Sequence, residues 1–210
     1  MKSPKNNPKL GQKLAAFRKK FQKEHAEAAK VVFPDLLQFL VALGSEGERS
    51  AVVLGAERIN VGLEELLKAF LRPSATKQDG LFSSEGALAT FSRKTEIAYR
   101  IGLIDLQFKQ ALDFVRKLRN DFAHATRVES LEAQRHADRV RELRKLIAGD
   151  RQNSLEGLEL AFVRGAGVGK LTSAYLGCVM LLLVKLELTR HHLEKPTILL
   201  PAKLDYRDLD

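Results

Sequence analysis

One cysteine, Cys178, stands in 210 residues, and it lies inside an apolar run. A lone thiol forms no intramolecular disulfide, which excludes a disulfide-built secreted scaffold and fits a reducing cytoplasm. Cys178 reads as a buried small hydrophobe. Prolines are scarce, six in all, and 45% of the residues are apolar, so the chain should fold around a sizeable core. No apolar stretch of signal-peptide type follows Met1-Lys2-Ser3-Pro4, and nothing directs export. The most apolar segment, Ala174 to Val184, runs for only eleven residues before Lys185 and Glu187. A helix needs about 20 residues to cross a bilayer, so this segment predicts a buried helix and no membrane span. No stretch alternates with period two for long enough to propose a sheet. The expectation is an all-α, single multi-helix domain in the cytoplasm, without a metal or cofactor.

The net charge of +9 is concentrated at one end. Residues 1–30 hold nine Lys or Arg and two Glu, a net +7, which leaves +2 for the other 180 residues. Between Leu10 and Val31, Leu14, Phe17 and Phe21 fall at helical spacing while Lys13, Arg18, Lys19, Lys20 and Lys23 fill the rest. The pattern predicts a basic amphipathic helix that either touches phosphates or an acidic partner, or docks one apolar stripe on the core.

The remaining segments read as helices. Pro34 starts one that runs to Leu43, and Gly44 stops it. Ser45 and Glu48 then have the spacing of a capping box for a long helix from Glu46 to about Leu71, ended by Pro73. Its stripe is Val52, Ala56, Ile59, Leu63, Leu66, Leu67 and Phe70. A loop rich in Gly and Ser follows, then a helix carrying Leu88, Phe91, Ile97, Ala98 and Ile101 up to Gly102. Asp105 caps the next, which aligns Phe108, Leu112, Val115, Leu118 and Phe122. From Glu129 to Ile147 charges outnumber apolar anchors, which predicts a surface helix. Val168 to about Leu193 forms a last helix with an apolar start and a charged end.

Two segments imitate sites. Gly165 to Thr172 looks like a phosphate-binding loop, but Arg164 stands where the first glycine belongs and Leu171 where the magnesium-binding hydroxyl belongs. It reads as a joint before the last helix. His191 and His192 are adjacent and point about 100° apart on a helix, with no Cys or carboxylate cluster to complete a metal set. His25 and His136 lack motif partners.

The chemistry-bearing stretch is Arg119-Asn120-Asp121-Phe122-Ala123-His124, at the end of an apolar helix. Metal-free RNA cleavage needs a base, an acid and positive charge on the phosphate. His124 suits the proton work, Arg119 could clamp the phosphate, and Asn120 could orient either. On one helix, residues five apart are rotated by about 140° and displaced by about 7.5 Å, so one copy presents them poorly to one phosphate. A two-fold dimer packing this helix against its twin would join both pairs. The same residues also make an ordinary helix end, with Arg119 paired to a carboxylate, Asp121 solvated and His124 near the last carbonyls.

Three ordered blocks resemble the mannitol operon repressor family. They are Gly44 to Ala56 leading to Leu63-Glu64-Glu65-Leu66-Leu67; then Phe91-Ser92-Arg93-Lys94 with Ala98-Tyr99 and Gly102-Leu103-Ile104; and then Val115 to His124. The likeness covers about residues 33 to 150. It implies an all-helical cytoplasmic regulator, named for transcriptional repression, that lacks an obvious helix-turn-helix and acts through other proteins. The last block also resembles the R-x4-6-H motif of the HEPN superfamily, which implies ribonuclease roles for Arg119, Asn120 and His124, and dimerisation.

The organisation expected is a basic arm over 1–32, the family-like core over 33–150, and a linker, apolar helix and tail over 151–210. A homodimer is expected, because the apolar start of the last helix and the Leu112 to Phe122 face offer more apolar surface than a monomer exposes. Three functions follow: a repressor-type regulator working by protein contact, a metal-independent HEPN-type endoribonuclease, and direct DNA binding through residues 1 to 31. The third lacks a readable recognition helix.

Overall fold

The computed structural model describes residues 26–125, 129–148 and 152–193. The candidate polyanion contacts Lys13, Arg18, Lys19, Lys20 and Lys23 lie outside them. The described residues form seven helices and no strand: α1 (Ala26–Ser45), α2 (Glu48–Phe70), α3 (Phe91–Arg100), α4 (Leu106–His124), α5 (Gln134–Ala148), α6 (Gln152–Ala166) and α7 (Lys170–His192). The all-α expectation holds.

Helix α7 is the axis of the fold. It packs against α1, α2, α5 and α6, while α2 also carries α3 and α4. Every residue from Thr172 to Val184 is buried, and so are Leu186 and Leu188. Of the described helices it alone is long and apolar enough to cross a membrane by length and composition, and 83% of its most apolar window is buried by its neighbours. The apolar start is therefore consumed within one chain. The same holds for Leu112, Val115, Leu118 and Phe122, each at most 1% exposed. Both surfaces that motivated a homodimer are thus internal. Inside this core Tyr175 donates its hydroxyl to Val52 O at 3.1 Å, which satisfies the one polar atom of a fully buried ring.

Several boundaries differ from the sequence expectation. Helix α1 does not begin at Pro34 but passes through it. The missing amide costs one backbone bond, and the burial of Leu36, Leu40 and Leu43 below it compensates. Gly44 does not stop α1, which ends at Ser45. It is a point of close approach, where an added Cβ would lie 3.0 Å from Ala166 Cβ and 3.1 Å from Leu176 Cδ1. Gly47, with φ of 112°, makes the turn instead. Gly44→Ala should therefore lower stability by about 1–3 kcal/mol, measured by urea unfolding, because Ala166 has no flexible end to move aside.

The capping box is absent. Ser45 Oγ donates back to Val41 O at 3.0 Å, and Gly47 is the N-cap of α2. Glu48 is used elsewhere: Oε2 accepts from Leu131 N at 2.9 Å and Oε1 from Thr172 Oγ1 at 3.1 Å. One carboxylate thus ties the starts of α2 and α7 to the segment before α5. The segment read as a linker contains α6, whose Leu155, Leu158 and Phe162 are fully buried. Nor is α5 a surface helix, since it buries His136, Ala137, Val140, Leu143 and Ala148.

Candidate functional site at the end of α4

Asp105 starts α4 as expected, its Oδ1 accepting from Phe108 N at 2.7 Å. The buried stripe then fixes the rotation of the helix, so its last turn leaves the core with Phe122 inward and His124 exposed. Arg49 of α2 closes this end, donating from Nη2 to Ala123 O at 3.2 Å. The bond supplies one of the carbonyls that a helix end leaves without a partner.

Arg119 is half engaged. Its Nη1 donates to Asn120 Oδ1 at 3.1 Å, its Nη2 lies 4.0 Å from Glu57 Oε2, and the side chain is 38% exposed. A phosphate would compete with both partners. His124 makes no hydrogen bond or ion pair with a described residue. Asn120 is partly buried and turned to Arg119, not to His124.

Asp121 is not a solvated residue. Its Oδ2 pairs with Arg139 and lies 3.2 Å from His136 Nε2. Burial alone would raise the Asp121 carboxyl, but the bond and charge of Arg139, with Arg135 and His136 nearby, hold it below the ordinary carboxylate range. His136 is fully buried. Its Nδ1 donates to Ser130 O at 2.9 Å, and Nε2 faces Arg135 Nε at 3.0 Å as well as Asp121. The ring also stacks obliquely on Phe122, with centroids 5.1 Å apart. His136, set aside in the sequence for lack of motif partners, is the histidine around which the end of α4 is built. Apart from the adjacent Arg135, its partners Asp121, Phe122 and Ser130 come from other segments, and helical spacing carries no signal of them.

The three residue blocks meet in space. Lys94 of α3, 3% exposed, donates to Glu64 Oε2 of α2 at 2.9 Å, which joins the second block to the first. Arg49 joins the first to the third. Glu64 also accepts from Lys68 at 2.6 Å, so two ammonium groups share one carboxylate. Most conspicuous polar residues of the blocks thus act between helices.

No group of three or more His, Cys, Asp or Glu suited to a metal occurs among the described residues. His191 is exposed and pairs with Glu187 one turn before it, at 3.3 Å. Burial pushes the Cys178 thiol far up, which makes it a poor nucleophile. Compared with protein-family models, curated proteins and solved structures, the chain matches none.

Proposed function

We propose that this protein is a repressor-type transcriptional regulator that acts mainly through contact with another protein. The observation that carries the reading is the use of the motif: Arg119 is half engaged by Asn120 and Glu57, Asp121 is held by Arg139 and His136, and His124 has no proton-transfer partner among the described residues. One copy therefore lacks the paired acid and base that phosphodiester cleavage requires. The nearly neutral body and the three interlocked blocks support the same reading. Helix α2 offers a surface for a partner, with Leu54 and Val61 exposed two turns apart at 45% and 40%. The residues of the basic arm, Lys13, Arg18, Lys19, Lys20 and Lys23, would add salt-sensitive attraction to a polyanion near the complex.

A second reading, a metal-independent endoribonuclease of HEPN type, is favoured by the exposure of His124 and the partial exposure of Arg119 within the last turns of one helix. It requires a homodimer that brings two such ends together.

The experiment compares three preparations, each checked by thermal melting: wild type, His124→Ala, and Leu54→Asp with Val61→Asp. Wild type should leave RNA intact with or without chelator. Removing the gene should raise a small set of transcripts, and the doubly substituted protein should fail to restore repression while His124→Ala succeeds. Cleavage by wild type that disappears in folded His124→Ala would reverse the choice, since loss of a proton-transfer group costs about 10²- to 10⁴-fold in rate.

A further inference from the structure

Helix α7 is wrapped by neighbours from Thr172 to Leu186 with a single break, and the break is Lys185. It opens onto a groove of about 330 Å³ between the start of α4, the end of α5 and α7. Helices α4 and α7 face each other across this gap without belonging to the closely packed pairs of the fold. Phe108 and Ala111 form one wall, Leu181 and Leu182 the other, and Ile147 closes an end. A volume of this size lies at the lower end of the range for small-molecule sites.

The polar groups around the groove are unequally committed. Asp105 caps α4 through Phe108 N, and Gln107 Nε2 donates to Leu146 O across the mouth. Lys185 is exposed, and while its carbonyl accepts from Thr189 Oγ1 at 2.8 Å, its ammonium makes no hydrogen bond or ion pair with a described residue. Asp105 takes up the partial positive charge of the α4 N-terminus at the same rim, which leaves the Lys185 ammonium as the uncommitted charge among the described residues of the groove. A slot with apolar walls, a polar rim and one ammonium left unpaired by the described residues is complementary to an amphipathic anion. A cation would meet Lys185, and a neutral apolar molecule would leave it without a partner.

We propose that this groove binds a small monocarboxylate with a compact apolar body, its carboxylate on Lys185 Nζ and its body between Phe108 and Leu182. The inference rests on the groove and not on the regulatory reading. A carboxylate on an ammonium forms a charge-assisted bond, stronger than a neutral one.

Octanoate, octanamide and octylamine are suitable probes, titrated calorimetrically into the full chain, with thermal melting as a second readout. Octanoate should bind saturably and raise the melting temperature, as any ligand of the native state does. Octanamide should bind about tenfold more weakly, and Lys185→Gln should weaken octanoate by about the same factor while leaving octanamide unchanged. Ile147→Phe, which fills the groove from a partly exposed position, should weaken both. Absence of saturable octanoate binding would overturn the proposal, as would tighter binding of octylamine. So would octanoate binding that both substitutions leave unchanged.

Discussion

Glu64→Gln should lower the stability of the folded protein by about 3 kcal/mol at neutral pH, more than Lys94→Met does. The asymmetry follows from burial: the Lys94 side chain is 4% exposed and that of Glu64 27%. Without the carboxylate, Lys94 is a charge in the core with only an amide beside it. Without Lys94, Glu64 keeps Lys68 at 2.6 Å and part of its water. The pH dependence has a definite sign. Burial by itself would raise the Glu64 carboxyl, but bonds and charge from Lys68 and Lys94 hold it below the ordinary carboxylate range. A carboxyl depressed in the folded state stabilises above its unfolded value, and that contribution is lost as pH falls through the folded one. Urea unfolding at a series of pH values should therefore find wild type and Glu64→Gln apart at neutrality and converging on acidification. A gap that widens on acidification, or a larger cost for Lys94→Met, would show the ion pair to be wrongly assigned.

Lys94 also marks where sequence reasoning reached its limit. The stripes of α2 and α4, the Asp105 cap and the buried start of α7 were legible because each is a local pattern with a helical period. Helix α6 was missed because the residues after 150 were read as a linker, with Gly165 opening a joint before the last helix. Gly165 instead lies inside α6 next to Val41 of α1, where an added Cβ would be 3.4 Å from Cγ1, an ordinary packing distance. The capping box failed because Glu48 found partners 83 and 124 residues away. Local spacing cannot anticipate such partners. The candidate site was half legible for the same reason. Arg119, Asn120 and His124 stood out as a linear motif, whereas His136 and Arg139 reach Asp121 from another helix, 15 and 18 positions on.

The division within the motif leads to the other large effect. Phe122→Ala should cost about 3–5 kcal/mol, because a ring 1% exposed leaves a cavity against Leu118 and His136 that the surrounding helices fill only in part. Asp121→Ala should cost about 2–3 kcal/mol, since Arg139 and the fully buried His136 would lose the carboxylate they share. Its contribution should fade on acidification, by the sign that holds for Glu64. Arg119→Ala and His124→Ala should each stay within about 0.5 kcal/mol of wild type, because one is partly solvated with weak partners and the other is exposed. This ordering separates the two uses of one stretch of six residues. If it holds, a loss of function in Arg119→Ala or His124→Ala reports on binding or chemistry, whereas a loss in Asp121→Ala or Phe122→Ala reports first on folding. Unfolding of His124→Ala at the cost expected for Phe122→Ala would mean that the exposed histidine is a structural element, and both functional readings of the helix end would lose their basis.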